Sequence, residues 1–208
     1  LKLVENALRT DIACVGAMLV YDDFTIQHAG VVLGLGEVAG HSHKYFNLNS
    51  PGYMKRLYFQ QEYSAVTAAC LAISKRKWDL LGGLDAFNLK VNYNDVDLCL
   101  RAREKGFKNI FIPEVVAIHH ESKSRGKPEG LALLQWKKEK SFMKKKWGAI
   151  LLNDPVLLIT LPFVSKAWVV VVVILSGIEN TYEVSFAEPT HTKPAWRVIV
   201  GVFPEVVK

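Results

Sequence analysis

The chain has 208 residues, half of them apolar, enough to bury one sizeable core, which excludes a disordered or fibrous protein. Its formal charge of +6 favours an anionic partner, which a nucleotide, a nucleic acid or an acidic membrane surface would each satisfy. Three widely spaced cysteines, Cys14, Cys70 and Cys99, lie in apolar runs with no CxxC pair and no secretory leader; this argues against a disulfide framework or zinc site and for a reducing, cytoplasmic compartment.

The chain opens on Leu1 within a helix-like stretch (Leu3, Val4, Ala7, Leu8) and so reads as part of something longer. Residues 12–21 form an apolar, β-prone run that Asp22 and Asp23 break before Thr25-Ile26-Gln27, predicting a strand, a turn and a short strand. Residues 30–43 hold four glycines with His41 and His43, which suits a loop lining a cleft. Residues 64–74 are small and apolar enough for a buried strand, and 75–81 then predict a short helix ended by Gly82-Gly83.

After a loop with Asp85 and Phe87, Asn94 or Asp95 offers an N-cap to a helix over 96–105, closed at Gly106, with Leu98 and Ala102 on one stripe. Residues 109–119 read as a strand punctuated by Pro113. From Gly130 a basic amphipathic helix follows, with lysines at 137, 138, 140, 144, 145 and 146 among Trp136, Phe142, Met143 and Trp147. The division predicted is a domain over 1–150 and an apolar tail over 151–208.

The most informative residues are Gly82-Gly83-Leu84-Asp85 and, one loop later, Asn94-Asp95-Val96-Asp97-Leu98 with Arg101. Together with Gly16-Ala17, the stretch 25–32, Ser64 to Cys70 and the run 119–126, they form an ordered set. The set resembles the acceptor-side signature of family 2 glycosyltransferases of the GT-A fold, over about residues 7–148. The similarity leans toward the branch that extends bacterial surface polysaccharides, rhamnosyltransferase-like members included. It implies an α/β fold, the C-terminal half of a mixed-sheet nucleotide-diphospho-sugar transferase domain whose donor-binding half is absent here.

The chemistry is consistent with that likeness. A hydroxyl attacking an anomeric carbon needs a base within hydrogen-bond reach, and Asp95 at the mouth of a helix suits the task; a plain helix cap is the competing role. Asp97 stands four residues before Arg101, at ion-pair spacing, and reads as a structural partner. Asn94, Gly83, Asp85 and Thr67 are placed near the acceptor by the resemblance, which has Glu more often at the position of Asn94. His28, His41 and His43 also fall near the cleft by this likeness, although ordinary packing would explain each of them.

The resemblance further assigns His119 or His120, with His119 favoured by its spacing to Ser124, to an Mg2+ or Mn2+ ion neutralising a nucleoside diphosphate. It brings Ser124 and Arg125 to the phosphates. Adjacent strand residues face opposite ways, so one histidine at most is a ligand. Asp22-Asp23 falls where the family has a surface turn and is not read as its DxD motif.

The implied activity is inverting transfer of a sugar from a nucleotide-sugar donor to a glycan or lipid-linked glycan acceptor. The alternative is a non-catalytic glycan- or membrane-binding fragment. The basic helix at 131–147 reads either as a solvated face or as a peripheral contact with the inner face of the plasma membrane. The tract 156–175 matches a membrane span in length, but Pro162 and Lys166 interrupt it. Basic residues without ordered aromatic motifs argue against a nucleic-acid partner.

Overall fold

The computed structural model describes residues 1–120, 129–155, 171–172 and 198–199. Two compact units divide the chain, Leu1–Thr160 and Leu161–Lys208. The first is a mixed α/β unit. Helix α1 (Lys2–Leu8) leads into β1 (Ile12–Val20), every residue of which is buried. Such an uninterrupted apolar run is what a strand covered on both faces requires.

Strand β1 pairs antiparallel with β2 (Ile26–His28) near its C-terminal end. The hairpin of β3 (Val31–Leu33) and β4 (Ala39–His41) follows, then β5 (Gln61–Tyr63). Strand β6 (Leu71–Ala72) meets β1 at Val15 and Gly16. Helices α2 (Lys75–Leu81) and α3 (Asn94–Glu104) precede β7 (Lys108–Ile118), and α4 (Gly130–Leu152) closes the order. The sheet runs β2-β1-β7-β5, with β1 and β7 parallel and the other pairings antiparallel. Pro113 has no N–H for the ladder and falls in the stretch where the β1–β7 register shifts.

One face of the sheet carries a small cluster, in which Ala7 of α1 covers Ile12, Val15, Ile110 and Ile112. The other carries the main core, where Leu98 and Ala102 of α3 and Met143, Trp147 and Leu151 of α4 pack with Met18, Val66 and Phe111. Each large apolar side chain buried there contributes about 1.5–3 kcal/mol, so this second face holds most of the stability. In the second unit the short strands β8 (Val171–Val172) and β9 (Val198–Ile199) pair in parallel. Apart from these four residues, the tail over 156–208 lies outside the described residues. Among the described residues, no helix is long and apolar enough to cross a membrane.

Three expectations need correction. Residues 64–74 are not one strand: Ala65 makes an isolated bridge to Val31, Ala68–Cys70 is a 3-10 turn, and only Leu71–Ala72 is strand. Small apolar residues fit a buried strand and a tight turn equally well, and here the turn lies at the surface with the amides of residues 67–69 taken by side chains. Residues 30–43 are not a plain loop, because they contain the β3–β4 hairpin, whose tip uses Gly34 and Gly36 at positive φ. The N-cap of α3 is neither Asn94 nor Asp95 but Tyr93, at φ 62, where a non-glycine residue is strained.

Candidate functional site

The site is built around the first turn of α3. Asp95 is half-buried, and its Oδ2 accepts the Ala68 N–H at 3.0 Å while Oδ1 accepts the Val96 N–H at 2.8 Å. The carboxylate is therefore tied to the 3-10 turn across the way as well as to its own helix. Three successive amides of that turn end on side chains. Thr67 N–H points to His28 Nε2 at 3.5 Å, Ala68 N–H to Asp95, and Ala69 N–H to Thr67 Oγ1 at 3.4 Å.

Asp97 faces away from Asp95, into the core, and is fully buried. Arg101 Nε donates to its Oδ2 at 2.8 Å, and Lys146 Nζ and Trp147 Nε1 donate to Oδ1 at 2.7 and 2.8 Å. The other guanidinium nitrogens of Arg101 donate to the carbonyls of Leu81 and Gly83, the latter at 2.6 Å. One arginine thus links α3 to the end of α2. Gly83 is needed there: it sits at φ 66, and a Cβ on it would meet the Trp78 ring at 3.0 Å. Asp85 closes the next turn by accepting from Asn88 N at 2.9 Å, Asn88 Nδ2 at 2.9 Å and Phe87 N at 3.2 Å, bonds that hold its carboxyl below the usual range. Asn94 is half-buried beside Asp95.

A residue that the sequence did not single out fixes the approach to α3. Glu139 of α4 is fully buried and accepts from Val91 N at 3.1 Å, Asn92 N at 2.9 Å and Asn92 Nδ2 at 2.6 Å, with Gln135 Nε2 at 2.6 Å. Burial pushes its pKa up, but the bonds from Gln135 and Asn92 outweigh it, and the net shift is downward. Glu139, Met143, Trp147 and Leu151 form the buried stripe of α4 at i+4 spacing. A lone acid in phase with Met143 and Trp147 within a lysine run was the available signal. On the same helix Lys140 and Lys144 grip Glu37 at the hairpin tip, and their hydrogen bonds pull its carboxyl down to about 2.

Beneath the Thr67 turn lies a histidine pair, His28 and His41, with Nδ1 atoms 2.8 Å apart. His28 is fully buried, and burial followed by the repulsion of His41 holds its pKa well below the ordinary imidazole value. Nearby, Ser42 Oγ contacts His43 Nδ1 at 2.6 Å and Tyr63 OH at 3.2 Å. His43 is also shifted down, by burial and then by Arg56. Burial disfavours the charged form of these imidazoles in the folded state relative to the unfolded chain, most strongly at His28, so their contribution to stability is full above about pH 6.5 and falls as pH drops below it. Thermal unfolding of this chain should show a decline toward pH 5.5, of up to about 1.4 kcal/mol per pH unit from the fully buried His28, and His28→Gln should flatten it.

The second predicted group sits at the C-terminal ends of the parallel strands β1 and β7. His119 N–H donates to the Val20 carbonyl at 3.0 Å, and its Nδ1 contacts Gln27 Oε1 at 2.8 Å. His120 is exposed and pairs through Nδ1 with Asp22 Oδ1 at 2.6 Å. Gln27 and His28 are neighbours on β2, so one strand supplies the contact to His119 and the histidine beneath the Thr67 turn. Among the described residues no group of three or more His, Cys, Asp or Glu side chains could hold a metal ion. Ser124 and Arg125 lie outside the described residues.

The chain is 45% identical over 157 residues to an uncharacterized protein, y4gI, of Sinorhizobium fredii, a match covering 74% of this chain and 17% of that protein. It is 34% identical over 128 residues to the O-antigen biosynthesis protein RfbC of Myxococcus xanthus, covering 60% of this chain and 10% of RfbC. No protein-family model matches the chain. The chain thus spans 17% and 10% of the lengths of these two relatives, and what it shares with them is one segment of much longer proteins.

Proposed function

We propose that this chain is the acceptor-side part of a GT-A glycosyltransferase domain that works in polysaccharide biosynthesis and transfers a sugar, with inversion, from a nucleotide-sugar to a hydroxyl of a glycan or lipid-linked glycan. The observation that carries this reading is the setting of Asp95. Its carboxylate is half-exposed at the start of a helix, anchored by the Ala68 N–H, and backed by the buried Asp97 and Glu139 networks. The similarity to a protein named for O-antigen biosynthesis supports the choice of polysaccharide chemistry.

In this mechanism Asp95 takes the proton of the acceptor hydroxyl as its oxygen attacks the anomeric carbon, in line with the departing nucleoside diphosphate. A base held so firmly is pre-aligned, and general-base assistance of this kind is worth about 10²–10⁴ in rate. Thr67 begins the turn that anchors Asp95 and Asn94 precedes it in the first turn of α3, while Arg101, Gly83 and Asp85 keep the helix start in place. His119 and His120 stand at the carboxyl ends of the parallel strands, the edge at which open α/β sheets take their ligands.

A divalent cation there would supply charge neutralisation for the leaving diphosphate. The donor chemistry fits, because His120 and Asp22 offer nitrogen and oxygen together and magnesium commonly needs only one or two protein ligands beside phosphate oxygens. Ser124 and Arg125 are assigned to the phosphates in the same reading. The outer face of α4, with Leu131 and Leu134 exposed near Lys137 and Lys138, is proposed as the peripheral contact with an anionic membrane.

Calorimetric titration of the chain with UDP and dTDP tests the diphosphate end. Binding should require Mn2+ and weaken about tenfold or more in His120→Ala or His119→Ala, as loss of a ligand or its support does at other metal sites. Binding that is equally tight in EDTA would remove the cation from the assignment.

A further inference from the structure

We infer that His28 is a positioning residue for Asp95, fixing the turn at 66–69 from which the Ala68 N–H reaches the carboxylate. For its catalytic consequence the inference rests on the reading of Asp95 as the base. His28 lies at the end of β2, fully buried, with its ring edge-on to Phe111 at 6.4 Å between centroids. Its Nε2 faces two backbone donors, Gly30 N–H at 3.3 Å and Thr67 N–H at 3.5 Å.

A nitrogen facing two N–H groups must be the lone-pair nitrogen, so the neutral ring carries its proton on Nδ1 and donates it to Nδ1 of His41. That single tautomer joins β2, the residue before β3, a histidine of β4 and the Thr67 turn. Thr67 then accepts from Ala69, and the one amide between them, Ala68, goes to Asp95.

The chain just before the turn is held by the Ala65 bridge to Val31 and by Cys99 Sγ at Val66, and within the turn, outside any strand ladder, the amides of Thr67, Ala68 and Ala69 take their direction from side-chain acceptors. Without the acceptor at Nε2, two buried amides lose their partner, and the turn gains by moving toward water or another acceptor. Asp95 would move with it or lose its anchor. A base displaced by even a fraction of an ångström loses alignment with the hydroxyl it serves.

Two substitutions separate positioning from bulk. His28→Phe keeps a ring against Phe111 and removes the acceptor, whereas His28→Gln keeps an amide oxygen that can accept from the same donors. Amide hydrogen exchange by NMR, on this chain, should rise about tenfold or more at Thr67 and Ala68 in His28→Phe, with β1 and β7 unaffected, and stay near wild type in His28→Gln. In the protein that contains this chain, His28→Phe should lower kcat about tenfold with KM for the nucleotide-sugar unchanged, and His28→Gln should restore it.

Unchanged exchange at Thr67 and Ala68 in His28→Phe would overturn the inference, as would faster exchange spread evenly through β1 and β7, or a wild-type kcat in that variant. Local exchange changes in a protein that transfers no sugar at all would uphold the positioning of Asp95 and sink its role as a base, so the two failures are told apart.

Discussion

Asp95→Asn should cut the turnover of sugar transfer by about 10²–10⁴-fold, measured as nucleoside diphosphate released by the protein that contains this chain. The size follows from the role: an amide cannot take the proton of the attacking hydroxyl. The fold should survive, because the Asn oxygen can still accept the Ala68 N–H that now ends on Oδ2. At most one neutral-strength bond is lost, that from Val96, worth about 1 kcal/mol and about 2–4 °C in Tm for a unit of this size. A variant with wild-type turnover would reduce Asp95 to a helix-end residue. A variant that unfolds would make its tie to the turn structural first.

Asp97→Ala should produce the opposite pattern, a large stability loss. The carboxylate is fully buried and receives Arg101, Lys146 and Trp147, and removing it leaves two cations and an indole N–H without their acceptor. Breaking a buried ionic network from one side costs about 3–5 kcal/mol. The partners retain some exposure, with Arg101 at 19% and Lys146 at 32% of the side chain, which places the cost at the low end. A Tm drop of about 6–12 °C is expected by thermal unfolding, with Asp97→Asn falling between. A drop below about 2 °C would mean that the cations find water at little cost.

Much of the fold was legible from local signals. The all-apolar run of β1, the Gly82 stop of α2 and the Gly106 stop after α3 are decided by neighbours in sequence, and each element forms as read. The Asp97–Arg101 pair was visible for the same reason, since i,i+4 spacing on a helix leaves little choice. Features decided by distant partners were not visible. Whether residues 64–70 form a strand depends on acceptors supplied by His28 and Asp95, and neither is near in sequence. Glu139 looks like one more surface charge until the Val91 and Asn92 amides come to it across nearly fifty residues. The His28–His41 pair needs the β3–β4 hairpin to fold before it exists.

The positive φ of Tyr93 had no signal at all, because glycine or asparagine is the usual residue there. Its strain sits immediately before Asn94 and Asp95, where the Glu139 bonds to the preceding loop can hold it. Two of the apolar residues that made α4 look membrane-facing, Met143 and Trp147, belong to the core, while its exposed apolar residues lie in its first turns and at its end.

The most direct measurement is NMR of the product formed when the protein that contains this chain is offered a panel of nucleotide-sugars with a lipid-linked glycan acceptor and Mn2+. A new glycosidic bond whose anomeric configuration is opposite to that of the donor is expected, formed by wild type and lost in Asp95→Asn. A product that retains the donor configuration, or one formed equally well without the Asp95 carboxylate, would contradict it.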